Sequence, residues 1–221
     1  ARRLSREPLQ HITGIAYFRN LELEVGSGVF IPRPETEFVA QLAIDALRAV
    51  ASENPIAIDL GTGSGAIALA MATEVPNAEI FAVEKSDDAI SFTKRNFEKY
   101  GSENATLIHG DLADSFAQLE GDAAVVVSNP PYIPHDAVPR DIEVRLHDPD
   151  LALYGGEDGM QVMHLVSASA RRLLHAGGTL VVEHADSQGQ QVSQLLLADG
   201  WRQVRSHKDL TGRDRAITAI K

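Results

Sequence analysis

The chain has no cysteine, no apolar run of the roughly 18 residues that a bilayer-spanning helix needs, and no basic run longer than two residues. The first absence removes disulfides, thiolate metal sites and cysteine nucleophiles, and is compatible with a reducing compartment. Behind its arginines the N-terminal stretch ARRLSREPLQ lacks the apolar core of a signal peptide. These features predict a soluble, cytoplasmic protein. The third absence goes with a formal net charge of −11. Lys and Arg supply most nucleic-acid affinity by neutralising phosphates, so this balance argues against a duplex as the main substrate. The eight histidines show no paired metal-ligand spacing and no Ser/His/Asp or HExxH setting, so they read as surface or capping residues and no metal site is expected.

What is present fits a single α/β domain with a short appendage: 221 residues, 44% hydrophobic and 23% charged. Residues 8–31 mix aromatic and β-branched residues with a Gly-Ser-Gly turn signal and predict a small β-hairpin. Residues 31–37, IPRPETE, are stiffened by two prolines, and Glu35 or Thr36 is placed to cap a helix over 38–50. From Ile56 strands and helices alternate, the pattern of a parallel sheet covered on both faces. Strands are predicted at 56–60, 78–85, 105–111, 123–128 and 179–185. Helices follow the glycine-rich turn at 61–65, a cap at Asp87, and the starts near Asp158 and Gln188, the third ending before Gly177-Gly178. The stretches 203–210 and 215–221 are joined too closely for a parallel crossover and predict a terminal antiparallel pair. The expected division is 1–37, hairpin and linker, and 38–221, the main domain.

Three strand ends carry chemistry. After the first, Asp59-Leu60-Gly61-Thr62-Gly63-Ser64-Gly65 combines glycines that tolerate positive φ with a helix N-terminus whose N–H groups are unpaired. Gly61, Gly63 and Ala66 also satisfy the dinucleotide pattern GxGxxG/A, which by itself is weak. Glu84, closing the second strand, is placed to accept from the hydroxyls of a ribose. Asp111, closing the third, is placed to accept from an adenine amine while the Leu112 N–H donates to a ring nitrogen. Asp59 then discriminates: an acid before the glycines repels a pyrophosphate and pairs with an ammonium, which the methionine part of S-adenosylmethionine carries.

The fourth strand runs into Ala123–Pro134, AAVVVSNPPYIP. Two prolines cannot donate ladder bonds, so the strand stops at Asn129. This delivers the Asn129 amide, the freed Pro130 carbonyl, Pro131 and the Tyr132 ring to the carboxyl edge of the sheet, where ligands of open parallel sheets sit. Two acceptors there suit one NH2 group, and the ring offers a packing face. Arg33, Glu35 and Glu183 are candidates for the substrate side, the first two held by the stiff loop before the first long helix.

Taken with the acid of AVEKS, DLGTGSG and SNPPY resemble the class I S-adenosylmethionine-dependent methyltransferases. REPLQHITG, GVFIPRPETE, VSNPPYIP, DPDLALYGGEDG and TGRDR, in that order, narrow the resemblance to the HemK/PrmC protein-glutamine methyltransferases, over essentially the whole chain. The resemblance implies a Rossmann-like fold: a seven-stranded, mostly parallel sheet with an antiparallel C-terminal strand, preceded by the hairpin. It implies that Asp59, Gly61, Thr62, Gly63, Ser64, Gly65, Glu84, Asp111, Leu112 and Asn129 border S-adenosylmethionine, with S-adenosylhomocysteine as product. Asn129, Pro130, Pro131 and Tyr132, with Arg33 and Glu35, would meet the glutamine of the Gly-Gly-Gln motif of class 1 peptide chain release factors. This sequence departs from the family pattern at Leu112, often Trp, at Glu84, commonly Asp, and at Glu183-His184-Ala185, commonly Glu-Ile-Gly. It does not include the family's N-terminal helical domain. The alternative is an adenine-N6 methyltransferase, because an amino group conjugated to a ring presents the same two N–H donors; a further alternative is a non-catalytic adenosine-binding module.

Overall fold

The computed structural model describes residues 2–100, 103–139 and 141–221. Helix α1 (Leu9–Thr13) ends on Gly14, whose φ of 77° closes the last turn, and leads into the hairpin β1 (Ile15–Phe18) and β2 (Leu21–Glu24). The hairpin turns at Arg19-Asn20, so the predicted Gly-Ser-Gly signal marks the exit loop beyond β2 rather than the turn. Helix α2 spans Pro34–Arg48, four residues earlier at its start than the sequence suggests. Proline suits the first helical position because its missing N–H would be unpaired there anyway. Glu35 and Thr36 therefore lie inside the first turn and cap nothing.

The main sheet contains β3 (Ile56–Leu60), β4 (Glu79–Glu84), β5 (Ala105–His109), β6 (Ala123–Ser128), β7 (Leu174–Glu183), β8 (Arg202–Lys208) and β9 (Asp214–Ile220). Their spatial order is β5-β4-β3-β6-β7-β9-β8. β3 to β7 pair in parallel; β9 inserts antiparallel between β7 and β8, giving the expected antiparallel C-terminal strand. Covering helices are α3 (Ala66–Glu74), α4 (Asp87–Tyr100), α7 (Gln161–Leu173) and α8 (Gly189–Ala198). α4 is capped by Ser86, whose Oγ accepts from the Ala89 N–H at 3.2 Å; Asp87 is its first residue. β7 starts five residues before the predicted strand and runs through Gly177-Gly178, with an irregular register opposite Ala123 and Val125.

β6 is buried at every position, and Ala57, Val125, Val127 and Val181 form one face of the sheet against α2 and α3. Phe18, Leu21 and Leu23 of the hairpin join this same core, so the appendage is packed against the sheet. Two short helices absent from the sequence reading, α5 (Ile142–His147) and α6 (Asp150–Leu153), lie between β6 and α7.

Candidate active site

The chain order of the sheet reverses between β3 and β6, because β4 and β5 lie to one side of β3 and β6 to the other. Adjacent loops diverge at such a point and leave a crevice at the carboxyl edge. Asp59 is in register with Val127, and the Ser128 hydroxyl donates to the Leu60 carbonyl at 2.6 Å, so the two loops leave the sheet side by side. They open on one cavity of about 880 Å³.

The β3 loop is held on three sides. The Gly61 and Thr62 N–H groups both donate to the Val83 carbonyl, at 3.0 and 2.9 Å. Thr93 on α4 donates to the Gly63 carbonyl and Asn96 to that of Ser64. Gly61 and Gly63 have φ of 76° and 58°, and a Cβ on either would project into open space, so glycine is needed there for conformation and not for packing. Gly65 caps α3 against Phe97 and does not line the cavity.

Asp59 is almost fully buried. Its Oδ2 accepts from Thr62 Oγ1 at 2.6 Å and the Ala68 N–H at 3.1 Å, while Oδ1 has no partner. Burial pushes its carboxyl up to about 7, against the pull of those two donors. Glu84 accepts from the Gly63 N–H at 2.8 Å and the Ser86 N–H at 2.7 Å, and burial raises it as well. It joins the glycine loop to the β4 exit. Asp111 is engaged by Lys85 at 2.8 Å and by the Ala113 N–H at 3.0 Å; the first is an exposed pair of the kind that contributes little. Leu112 lines the cavity, and its N–H has no acceptor among the described residues.

At the β6 mouth the Asn129 amide donates from Nδ2 to Thr36 Oγ1 at 3.3 Å, while Oδ1 accepts from no described residue. Among the described residues the Asn129 and Pro130 carbonyls likewise have no donor. The Tyr132 hydroxyl donates to Glu183 Oε1 at 3.4 Å, and burial together with Glu183 keeps this phenol protonated well above its ordinary value.

The backbone beyond the prolines is braced from a distance. The Ile133 N–H donates to the Leu153 carbonyl, the Gly155 N–H to the Ile133 carbonyl and Gln188 Nε2 to the Tyr132 carbonyl, each at 2.9 Å. A Cβ on Gly155 would lie 2.5 Å from the Pro131 carbonyl oxygen, and one on Gly159 would lie 2.3 Å from that of Tyr132. DPDLALYGGEDG is thus the cradle of the Asn-Pro-Pro-Tyr segment.

Of the remaining predicted residues, Arg33 lines the cavity, lies over the Phe30 ring and pairs with buried Asp148 at 2.5 Å. Glu35 does not line it, and reaches the site only through its charge on Tyr132 and Glu183. Local sequence gave no sign of Thr36, Glu183 and Arg215 acting together at this end of the sheet. His11 and His184 are buried, not superficial, and His184 is fully enclosed.

A doubly wound sheet with a glycine loop and an Asn-Pro-Pro-Tyr mouth on one cavity defines a methyltransferase, and residues 20–148 match the family described as Methyltransferase small domain. Closer likenesses narrow this class. A release factor glutamine methyltransferase of Streptomyces coelicolor is 53% identical, covering all of this chain and 78% of the relative. The crystal structure of a release factor-specific protein-(glutamine-N5) methyltransferase from Alicyclobacillus acidocaldarius is 29% identical with a TM-score of 0.52, covering 90% of this chain and 98% of that one. A 4-amino-L-phenylalanine/4-methylamino-L-phenylalanine methyltransferase of Streptomyces pristinaespiralis is 38% identical, covering all of this chain and 75% of the relative. The chain belongs to the release factor glutamine methyltransferase family.

Proposed function

We propose that the chain transfers a methyl group from S-adenosylmethionine to the side-chain amide nitrogen of the glutamine in the Gly-Gly-Gln motif of class 1 release factors. The observation that carries this reading is the pair of unpartnered acceptors, Asn129 Oδ1 and the Pro130 carbonyl, opening on the same cavity as the glycine loop. The residues fit the cofactor. Asp59 presents a buried, unpartnered carboxylate oxygen to a cationic amino group, Glu84 a carboxylate to a ribose, and Leu112 a free N–H and an apolar side chain to a base. When bound, S-adenosylmethionine supplies an electrophilic methyl group on a sulfonium.

A carboxamide nitrogen is a weak nucleophile because its lone pair is delocalised into the carbonyl. Orientation must therefore do most of the work. Asn129 Oδ1 and the Pro130 carbonyl accept the two N–H bonds, fixing the plane of the substrate amide, and Tyr132 packs on its face. Neutral hydrogen bonds are worth about 0.5–1.5 kcal/mol each, whereas alignment of bound reactants is worth up to about 7–11 kcal/mol. The same acceptors stabilise positive charge developing on nitrogen. No duplex contact or membrane enters this scheme, and among the described residues no helix is long and apolar enough to cross one. A release-factor substrate sets the working compartment as the cytoplasm.

The relative acting on an aromatic amine identifies the control. The chain is incubated with S-adenosylmethionine and, separately, with a release factor, 4-aminophenylalanine and an adenine-containing oligonucleotide. Mass spectrometry should find methylation of the Gly-Gly-Gln glutamine. Modification of either control with an unmodified release factor would contradict the proposal.

A further inference from the structure

Two nearly isosteric orientations are open to an asparagine side chain, and they differ in whether oxygen or NH2 faces outwards. A site that must accept an N–H works only with the oxygen outwards; the reverse sets donors against donors. At Asn129 the choice is made by a buried chain of side chains. Nδ2 lies 3.3 Å from Thr36 Oγ1, and Thr36 spends its single proton on Glu183 Oε2 at 2.8 Å. An ionised carboxylate only accepts, so Thr36 has only a lone pair to offer Asn129 and selects its NH2 group. The other oxygen of Glu183 receives the Tyr132 hydroxyl.

We propose that Thr36 and Glu183 are positioning residues that set which edge of the Asn129 amide faces the cavity and, through the same carboxylate, hold the Tyr132 ring. Thr36 sits in the first turn of α2 and is 4% exposed; Glu183 ends β7 and is 2% exposed. Thr36 borders the cavity beside Asn129, whereas Glu183 does not line it and acts through Thr36 and Tyr132. The groups facing Glu183 are Thr36 and Glu35 from α2, Tyr132 from the β6 exit and Arg215 from β9, and Arg215 favours the ionised form while Glu35 opposes it. Arg215 is itself held by Asp209 at 3.2 Å, within the turn that joins β8 to β9. If Glu183 takes up a proton, Thr36 is freed to donate to Asn129 and the amide loses its reason to point outwards. Burial pushes the Glu183 carboxyl up to about 7, which brings this change within an accessible pH range.

The inference rests on the reading of Asn129 as the acceptor of a substrate amide, and its test separates the two. Thr36→Val keeps the shape and removes the hydroxyl; Thr36→Ser restores it. Thr36→Val should lower kcat by about 10- to 100-fold with the KM for S-adenosylmethionine within about threefold, and Thr36→Ser should stay within about threefold of wild type. Wild-type kcat should fall as pH drops through the titration of Glu183, and Glu183→Gln should lose that limb. A Thr36→Val variant with wild-type kcat, or serine and valine variants equally impaired, overturns the proposal. Independently of any substrate, the two side-chain amide protons of Asn129, assigned by their loss in Asn129→Ala, should shift in Thr36→Val and hold in Thr36→Ser. Unchanged resonances in the valine variant overturn it even if the chain methylates no release factor, an outcome that would defeat the proposed function alone.

Discussion

In the proposed function Asn129 serves the substrate and Asp59 the cofactor, and each makes a separable prediction. In the proposed reaction Asn129 meets the reacting nitrogen, and its side-chain partner is Thr36 and not the glycine loop. Asn129→Ala should therefore reduce kcat by about a hundredfold or more while the affinity for S-adenosylmethionine changes only a few-fold. Equal losses in both, measured by single-turnover kinetics and calorimetry, would contradict this division. Asp59 is a carboxyl raised by burial to about 7, so much of it is protonated near neutrality when no cation faces it. A cationic amino group brought to its bare oxygen favours the ionised form and drives the proton off. Cofactor affinity should thus rise with pH up to about 7, level off, and decline above about 8 as the amino group itself deprotonates. Calorimetry near pH 6 in buffers of different ionisation enthalpy should detect release of a proton in wild type and none in Asp59→Asn. Release of the same size in both would remove Asp59 from the ammonium site.

At the scale of elements, the hairpin is tied to the glycine loop by Asn96 of α4. This side chain is fully buried. It accepts from the Glu24 N–H at 2.7 Å and donates to the Glu24 and Ser64 carbonyls at 3.0 and 2.8 Å. Asn96→Ala removes three bonds and strands buried backbone groups, which should cost about 2–4 kcal/mol in urea denaturation and weaken cofactor binding as well. Lost stability with unchanged affinity would show that the hairpin is coupled to the core but not to the loop. Strands such as Ala123–Ser128 were legible because small and β-branched runs admit few other readings. The start of α2 was not, because Pro32 and Pro34 look alike in sequence although one ends an extended segment and the other begins a helix. β7 was cut short at Gly177-Gly178, where a stop signal was overridden by pairing with β6 and β9. α5 and α6 are too short to show periodicity, and they form where the chain covers the cavity.

For the whole molecule, topology brings together what local sequence keeps apart. Thr36 and Glu183 are 147 positions distant, and Gly159 meets Tyr132 only because α6 folds back over the β6 exit. The glycine loop and the Asn-Pro-Pro-Tyr segment were readable as motifs, each at the end of a buried strand. The support beneath them was not, since a buried Thr-Glu-Tyr connection has no one-dimensional pattern. The net charge of −11 weighs against nucleic acid as the main substrate. The most direct measurement is tandem mass spectrometry of a class 1 release factor after one round of incubation with this chain and S-adenosylmethionine. A single methyl group on the side-chain nitrogen of the Gly-Gly-Gln glutamine, present with wild type and missing with Asn129→Ala, is the predicted result; an unmodified glutamine with wild type, or a methyl group that persists with Asn129→Ala, would contradict it.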